Sequence, residues 1–325
     1  MRIGIIGCGK ISEKHVLGYK NLSDVDIVVS DIDSNRAREF SKKFGTGYAE
    51  DIDSLLTSDK VDAIDICVPT PFHKPYIIKA LEGNKHVFCE KPLCMNMDEA
   101  IEIKDVVRKT DRVLMVGYLY RFHPAFQFVK KVLDENIIGN PHFAIFRLGG
   151  RGSHMPWKHK KDNGGGAILE MMVHKLDLIV WYFEKITKSE FLINDVVIKS
   201  REIGGRKYRV NAEDLVLLDI KAGKTKILCE SDLISPSYMN YIEIHGDNGS
   251  LFTSILHFMP TIVFCKEARG VFNQGNNIYN FQMENLFERE LSHFIDCIKN
   301  GKRPLNSIDD SIKVFKILAN ASARI

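Results

Sequence analysis

The sequence predicts an α/β protein: a doubly wound parallel sheet at the amino-terminal side, then an α/β domain whose open sheet is largely antiparallel. Three observations predict it. Short apolar runs alternate with helix-like stretches over the first third of the chain, and those runs are apolar throughout rather than alternating with polar residues. Beyond about residue 122, strand-like segments follow one another directly, separated by tight turns.

The parallel part is read from Ile3 to Ile6, Ile27 to Ser30, Ala63 to Val68, Val87 to Cys89 and Val113 to Val116. Amphipathic stretches such as Ser34 to Phe44, Pro75 to Glu82 and Asp98 to Lys109 lie between them. Strands that lack a polar face are buried on both sides, which requires helices above and below the sheet. After a helix over Pro124 to Asn136 come a strand over His142 to Leu148 and a long apolar helix from Ala167 to Phe183. Strands are expected over Asp195 to Ser200, Leu215 to Ile220, Lys226 to Ser231, Tyr241 to His245, Ser250 to Leu256 and Thr261 to Cys265. The turn signals Ala222-Gly223-Lys224 and Gly246-Asp247-Asn248-Gly249 separate several of them. Helices over Phe281 to Asn300 and Ser307 to Ala323 close the chain. The expected domains are residues 1–121 and 122–325.

The chain has 325 residues, 45 basic and 42 acidic, with a formal net charge of +3. The basic residues are dispersed, so no nucleic-acid or anionic-membrane partner is expected. Seven cysteines, without a C-x-x-C pair, read as reduced core residues rather than a disulfide framework or zinc site. The amino terminus enters a strand at once and no stretch reaches the length of a membrane span. A soluble cytoplasmic protein is the expectation.

Gly7-Cys8-Gly9-Lys10-Ile11-Ser12 follows a strand and opens a helix, the context of a dinucleotide-binding turn. Gly7 permits the turn, Gly9 the approach of backbone to a pyrophosphate, and the helix terminus supplies free N–H groups. Ser12 stands where a third glycine is usual and is small enough for close packing. Asp31, about 20 residues on, suits the adenosine ribose hydroxyls and repels a 2′-phosphate, which favours NAD. Arg36 and Arg38 leave NADP open. Pro69-Thr70-Pro71-Phe72-His73 follows another strand end and could face the nicotinamide half of the cofactor, or Pro71 and His73 could simply start a helix.

Glu90-Lys91-Pro92 directly follows the apolar run Val87 to Cys89, so Lys91 stands at the carboxyl end of a central strand, where open parallel sheets bind ligands. Further on, Gly164-Gly165-Gly166 runs into the apolar helix. There Glu170, His174 and Asp177 are spaced i, i+4 and i+7, along one helix face. Burying three ionisable groups without partners is costly, so they pair with one another or serve a cavity. The segment Arg151 to Lys161 is rich in cations, with Trp157 the better contact for a sugar face.

Taken together, these segments resemble the glucose-fructose oxidoreductase, inositol dehydrogenase and rhizopine catabolism family, written Gfo/Idh/MocA. The matching elements are the turn at Gly7 to Ser12, Asp31, Pro69-Thr70 with His73, Glu90-Lys91-Pro92, and Gly117-Tyr118-Leu119-Tyr120-Arg121-Phe122-His123-Pro124. The triple glycine with His174 and Asp177, and Ile244 to Ser250, extend the likeness over essentially the whole chain. Family members commonly carry aspartate where Glu170 stands.

The resemblance implies a Rossmann-like amino-terminal domain and a second domain whose sheet forms homo-oligomer contacts, in a dimer or tetramer. It implies an NAD(P)-dependent, metal-free hydride transfer at a carbinol carbon of a cyclic polyol, sugar or sugar derivative. Lys91, His174 and Glu170 are then the catalytic residues. The cofactor residues are Gly7, Gly9, Lys10, Ile11, Asp31, Arg36, Pro69, Thr70, His73, Glu90 and Lys91. Tyr118, Trp157, Asp177 and Tyr238 are the substrate candidates. The alternative is a regulator of the same fold that binds dinucleotide without turnover.

Overall fold

The computed structural model describes residues 1–152, 154–183, 185–282 and 284–322, with the backbone only of Arg151. Ser153 of the basic segment and Ala323 of the last expected helix lie outside the described residues. The chain forms two compact units, Met1–Leu119 with Asn285–Ile312, and Tyr120–Glu284 with Lys313–Ile325.

In the first unit the chain runs β1 (Arg2–Ile6), α1 (Lys10–Lys20), β2 (Asp26–Ser30), α2 (Ser34–Phe44), β3 (Gly47–Tyr48), α3 (Ile52–Thr57) and β4 (Ala63–Ile66). It continues through α4 (His73–Glu82), β5 (His86–Glu90), α5 (Met97–Val107) and β6 (Leu114–Gly117). The strands form one six-stranded sheet, order β3-β2-β1-β4-β5-β6, with every pair parallel. β4 and β6 are buried at every position, as strands covered on both faces must be. Asp33 caps α2 by accepting from the N–H groups of Asn35 and Arg36, and left-handed Gly45 ends it.

The second unit holds α6 (Pro124–Asp134), β7 (Pro141–Arg151), a π-helical turn at Ile168–Met172, α7 (Val173–Tyr182) and β8 (Ile186–Asp195). After β9 (Ser200–Ile203) and β10 (Arg206–Arg209), a small separate hairpin, come β11 (Leu215–Ala222), β12 (Thr225–Asp232) and β13 (Ile234–Gly246). β14 (Gly249–Ser254), β15 (Thr261–Cys265) and β16 (Gly275–Tyr279) complete an eight-stranded sheet, order β16-β15-β14-β13-β7-β12-β11-β8. It is antiparallel except where β12 meets β7. One face is core, with Phe146, Val216, Leu218, Ile227, Ile242, Ile244 and Val263 fully buried. The other face mixes charged side chains such as Arg147, Glu230 and Glu243 with apolar ones, of which Phe264 is 44 % and Ile278 62 % exposed.

One sequence expectation is corrected. No strand covers Asp195 to Ser200: the Val197 and Ile198 N–H groups donate to the Asp214 carboxylate, which removes them from any ladder. Besides the change of unit near the expected 121/122 boundary, α8 (Leu286–Asn300) and the start of α9 (Ile308–Ser322) belong to the first unit. Phe287 lies 5.6 Å from the His15 ring, and the Asn306 amide donates to the carbonyls of Val116 and Tyr118. Among the described residues no helix is long and apolar enough to cross a membrane.

Candidate active site

The glycine turn is built from the core outward. Gly7 has φ +96°, and a Cβ there would come 2.6 Å from the Cys67 carbonyl oxygen, so only glycine fits. Gly9 faces open space, with nothing within 4 Å of a built Cβ, and as the first residue of the α1 turn it caps the helix without a side chain. The α1 N–H groups are therefore left for an anion. Buried Ser12 donates its hydroxyl to the Gly7 carbonyl, 2.6 Å, and ties the turn to the helix. Lys10 is exposed and Ile11 half-buried beside it.

Asp31 is oriented by this same turn. Its Oδ2 accepts from the Cys8 N–H at 2.8 Å, and Oδ1 accepts from the Asp33 N–H at 2.9 Å. Arg36 reaches Oδ1 at 3.3 Å and also approaches Asp33, so its charge is shared between two carboxylates. Ile32 leaves 91 % of its side chain in water at the end of β2, an apolar surface of the kind an adenine ring covers. The open Gly9, the uncapped helix and the anchored Asp31 fit a dinucleotide.

Glu90 and Lys91 are held from beneath by a residue the sequence reading passed over. His15, fully buried on α1, has Nδ1 2.8 Å from Asp65 Oδ2 and Nε2 3.1 Å from Glu90 Oε1. Burial pulls its pKa down, but Asp65 more than restores it, and the imidazole is held well above its usual value. Glu90 is lowered overall: burial raises it, and the His15 hydrogen bond and charge outweigh that. Its second oxygen accepts from the Lys91 N–H at 3.0 Å. Cys67 Sγ also lies 3.3 Å from Asp65 Oδ1, and burial pushes this thiol up to about 12. The donor atoms of His15, Asp65 and Cys67 lie within 4.8 Å of one another, but they are already hydrogen-bonded among themselves.

Thr70 starts a short 3-10 turn after exposed Pro69 and is itself buried. His73, expected at the cofactor, faces the protein instead. Its Nδ1 is 2.7 Å from the Pro92 carbonyl and its Nε2 2.8 Å from the Val68 carbonyl, and burial lowers its pKa against the pull of both. It thus ties the strand end before Pro69 to the segment after Lys91.

In the second unit the triple glycine passes close to Glu213. Gly166 has φ +105°, and a Cβ there would meet Glu213 Oε1 at 2.3 Å. Glu213 in turn accepts from the Ile168 N–H at 3.1 Å, which starts the π turn, and burial raises its pKa. Glu170, His174 and Asp177 have separate companions. Lys158 donates to Glu170 at 2.5 Å, and the Tyr120 ring lies 4.7 Å from the His174 ring. Arg121 clasps both oxygens of Asp177 at 2.8 and 2.7 Å, in a pair that is almost fully buried.

Asp177, one of the substrate candidates, is thus held by Arg121. Lys158, from the cationic segment, is committed to Glu170 and the face of Trp157, 5.2 Å from the ring centroid. Trp157 is half-buried and Tyr118 buried. Tyr238 is 42 % exposed, in the stretch of β13 where the register against β7 shifts between Ile234 and Met239.

The likeness to known proteins covers both units. Residues 1–118 match the family described as "Oxidoreductase family, NAD-binding Rossmann fold", and residues 126–252 match the "GFO/IDH/MocA C-terminal domain". A myo-inositol 2-dehydrogenase of Thermotoga maritima is 29% identical over 100% of this chain and 96% of its own length. A scyllo-inositol 2-dehydrogenase (NAD(+)) of Bacillus subtilis is 26% identical over 97% of this chain and 91% of its own. Among solved structures, a levoglucosan dehydrogenase in complex with NADH and L-sorbose superposes with a TM-score of 0.90. It is 21% identical and covers 99% of this chain and 97% of its own, a likeness of fold.

Proposed function

The chain belongs to the Gfo/Idh/MocA family of oxidoreductases with an NAD-binding Rossmann domain, and from that premise we propose that it is an NAD-dependent dehydrogenase of cyclic polyols or sugars. The observation that carries the reading is Asp31, whose carboxylate is fixed by the Cys8 N–H beside the open turn at Gly9. A carboxylate held there suits a ribose diol and opposes a 2′-phosphate, so NAD is the cofactor. The inositol dehydrogenases among the relatives support a polyol or sugar substrate.

When bound, the nicotinamide ring supplies the hydride acceptor. His174 takes the hydroxyl proton of the substrate as general base. The Lys91 ammonium stabilises negative charge developing on a substrate oxygen. Glu90, fixed by His15, holds the Lys91 backbone and would lie near the nicotinamide ribose of a bound cofactor. Glu170, which accepts from Lys158, orients His174 or relays protons from it.

We propose a homo-oligomer formed through the outer face of the eight-stranded sheet, where Phe264 and Ile278 leave apolar surface in water. Seven free, buried thiols suit the reducing cytoplasm. The test mixes the purified protein with NAD or NADP and inositols, aldoses, sugar phosphates and sugar nucleotides, following nicotinamide absorbance, with His174→Ala as control. Turnover with one group that vanishes in the control is expected. Cofactor binding without turnover on any of them would overturn the reading in favour of a regulator.

A further inference from the structure

Lys175 directly follows His174 in α7 and is fully buried, yet among the described residues no carboxylate pairs with it. Its Nζ lies 2.6 Å from Asn240 Oδ1 and 3.2 Å from the Tyr241 carbonyl oxygen, and 4.9 Å from the centre of the Phe126 ring. Burial alone lowers this amine to about 7. A buried amine that lacks a counter-charge is costly, so its role here is sought in the hydrogen bonds it directs.

Those bonds have one possible direction. Both partners of Lys175 are oxygens, and a carbonyl oxygen only accepts, so an N–H is committed to each, whether the group is ammonium or amine. The Asn240 amide must then turn its oxygen to the lysine and its NH2 the other way. There Nδ2 lies 3.0 Å from the Tyr238 hydroxyl, and since an amide nitrogen only donates, the Tyr238 oxygen accepts. The Tyr238 hydroxyl lies 2.7 Å from that of Tyr120. One phenol hydrogen fills this contact, and the other must leave the pair. When Tyr238 donates to Tyr120, the outgoing O–H is that of Tyr120, whose ring rests 4.7 Å from the imidazole of His174.

We propose that Lys175 is a positioning residue: through Asn240 it holds the Tyr238 and Tyr120 phenols in the state that donates an O–H to a ligand oxygen beside His174. Such a donor selects substrates that carry an acceptor oxygen, hydroxyl or carbonyl, next to the reacting carbon. The assignment deepens the polyol reading above and rests on it for the identity of the ligand. Without the lysine the amide is free to turn over. Its oxygen then accepts from Tyr238, Tyr120 donates into Tyr238, and the pair offers only lone pairs.

The test compares Lys175→Met, Asn240→Asp, Tyr120→Phe and the double variant Lys175→Met/Tyr120→Phe on the cyclic polyol that the wild type turns over best. Lys175→Met should raise KM about three- to tenfold, the effect of one hydrogen bond, with NAD affinity unchanged. The double variant should be no worse than Tyr120→Phe, because both changes remove the same donor. An unchanged KM in Lys175→Met, or additive losses in the double variant, would overturn the assignment. Asn240→Asp keeps the acceptor for Lys175 and presents only an acceptor to Tyr238, so it should reproduce the rise in KM even if Lys175→Met folds poorly. A readout without substrate is the nuclear Overhauser contact between the Asn240 NH2 and the Tyr238 ring, expected in the wild type and lost in Lys175→Met. If the wild type turns over no polyol, the functional reading fails, and persistence of that contact in Lys175→Met would separately overturn the role of the lysine.

Discussion

His15 stands between the carboxylates of Asp65 and Glu90 and reaches the Lys91 backbone through one of them: its Nε2 lies 3.1 Å from Glu90 Oε1, and Glu90 Oε2 accepts the Lys91 N–H. Asp65 raises the pKa of His15 against burial, and His15 in turn lowers that of Glu90. His15→Gln keeps a donor for one carboxylate and abandons the other. We expect kcat to fall on the order of tenfold to a hundredfold, because Lys91 loses its alignment, while NAD binding changes far less. Equal losses in kcat and NAD affinity, measured by steady-state kinetics and calorimetry, would show that His15 only stabilises the domain. The sign with pH follows: the contribution of the imidazolium is complete below its unfolded value near 6.5 and is lost as pH rises through the raised folded value.

Gly7 and Gly9 differ in what a methyl group would meet. At Gly7 it meets the Cys67 carbonyl at 2.6 Å on a backbone of positive φ, and at Gly9 it meets nothing within 4 Å. Gly7→Ala should lower stability by about 1–3 kcal/mol. Gly9→Ala should melt like the wild type and bind NAD at least about tenfold more weakly, since its methyl fills space needed by the pyrophosphate. Melting curves with and without NAD separate the two, and a Gly9→Ala protein of normal affinity would remove the phosphate from this turn.

Asp31 supplies both anchorage and charge. Asp31→Asn retains an oxygen for the Cys8 N–H and removes the repulsion of a 2′-phosphate, with Arg36 already within reach of the site. The ratio of kcat/KM for NADP over NAD should rise about tenfold or more. A ratio that stays put would mean that cofactor choice is made elsewhere.

Much of the first unit was legible because each device there is local. The Ser34 to Phe44 helix is bracketed by its own cap and its own glycine, and the turn, Asp31 and Lys91 stand at strand ends that hydrophobicity alone marks. What escaped was set by distant partners. His15 reads as one polar residue in an amphipathic helix, and its carboxylates are 50 and 75 residues away. β8 was missed because only Ser189 in it is buried, so its side chains carry no core signature. The π turn at Ile168–Met172 leaves no mark in residue spacing, yet it shifts Glu170 relative to His174 and Asp177 and hands each acid to its own cation.

Arg121 and Asp177 show how completely such a partner can decide a residue's role. Asp177→Asn would leave a guanidinium buried beside a neutral amide and should cost about 3–5 kcal/mol. The double change Arg121→Met/Asp177→Leu removes both charges and should recover most of that loss, since apolar groups of similar volume fill the same space. Chemical denaturation of the three variants provides the measurement. A double variant as unstable as Asp177→Asn would mean that the pair contributes by shape and hydrogen bonds to its surroundings rather than by charge balance.

Lys175 makes the same argument with, among the described residues, no carboxylate paired to it. Folded, its amine titrates near 7, whereas unfolded it titrates near 10.5. Between those values the unfolded chain binds the extra proton, so this group disfavours the fold most below pH 7, and the penalty disappears as pH approaches 10.5. The full span corresponds to roughly 5 kcal/mol. Lys175→Met carries no such dependence, though it leaves Asn240 and the Tyr241 carbonyl without their donor, a fixed loss at every pH. The wild type should therefore gain stability relative to the variant as pH rises from about 6 to 9.5. Urea unfolding at those two values decides it, and parallel pH curves for the two proteins would mean that Lys175 titrates alike in both states.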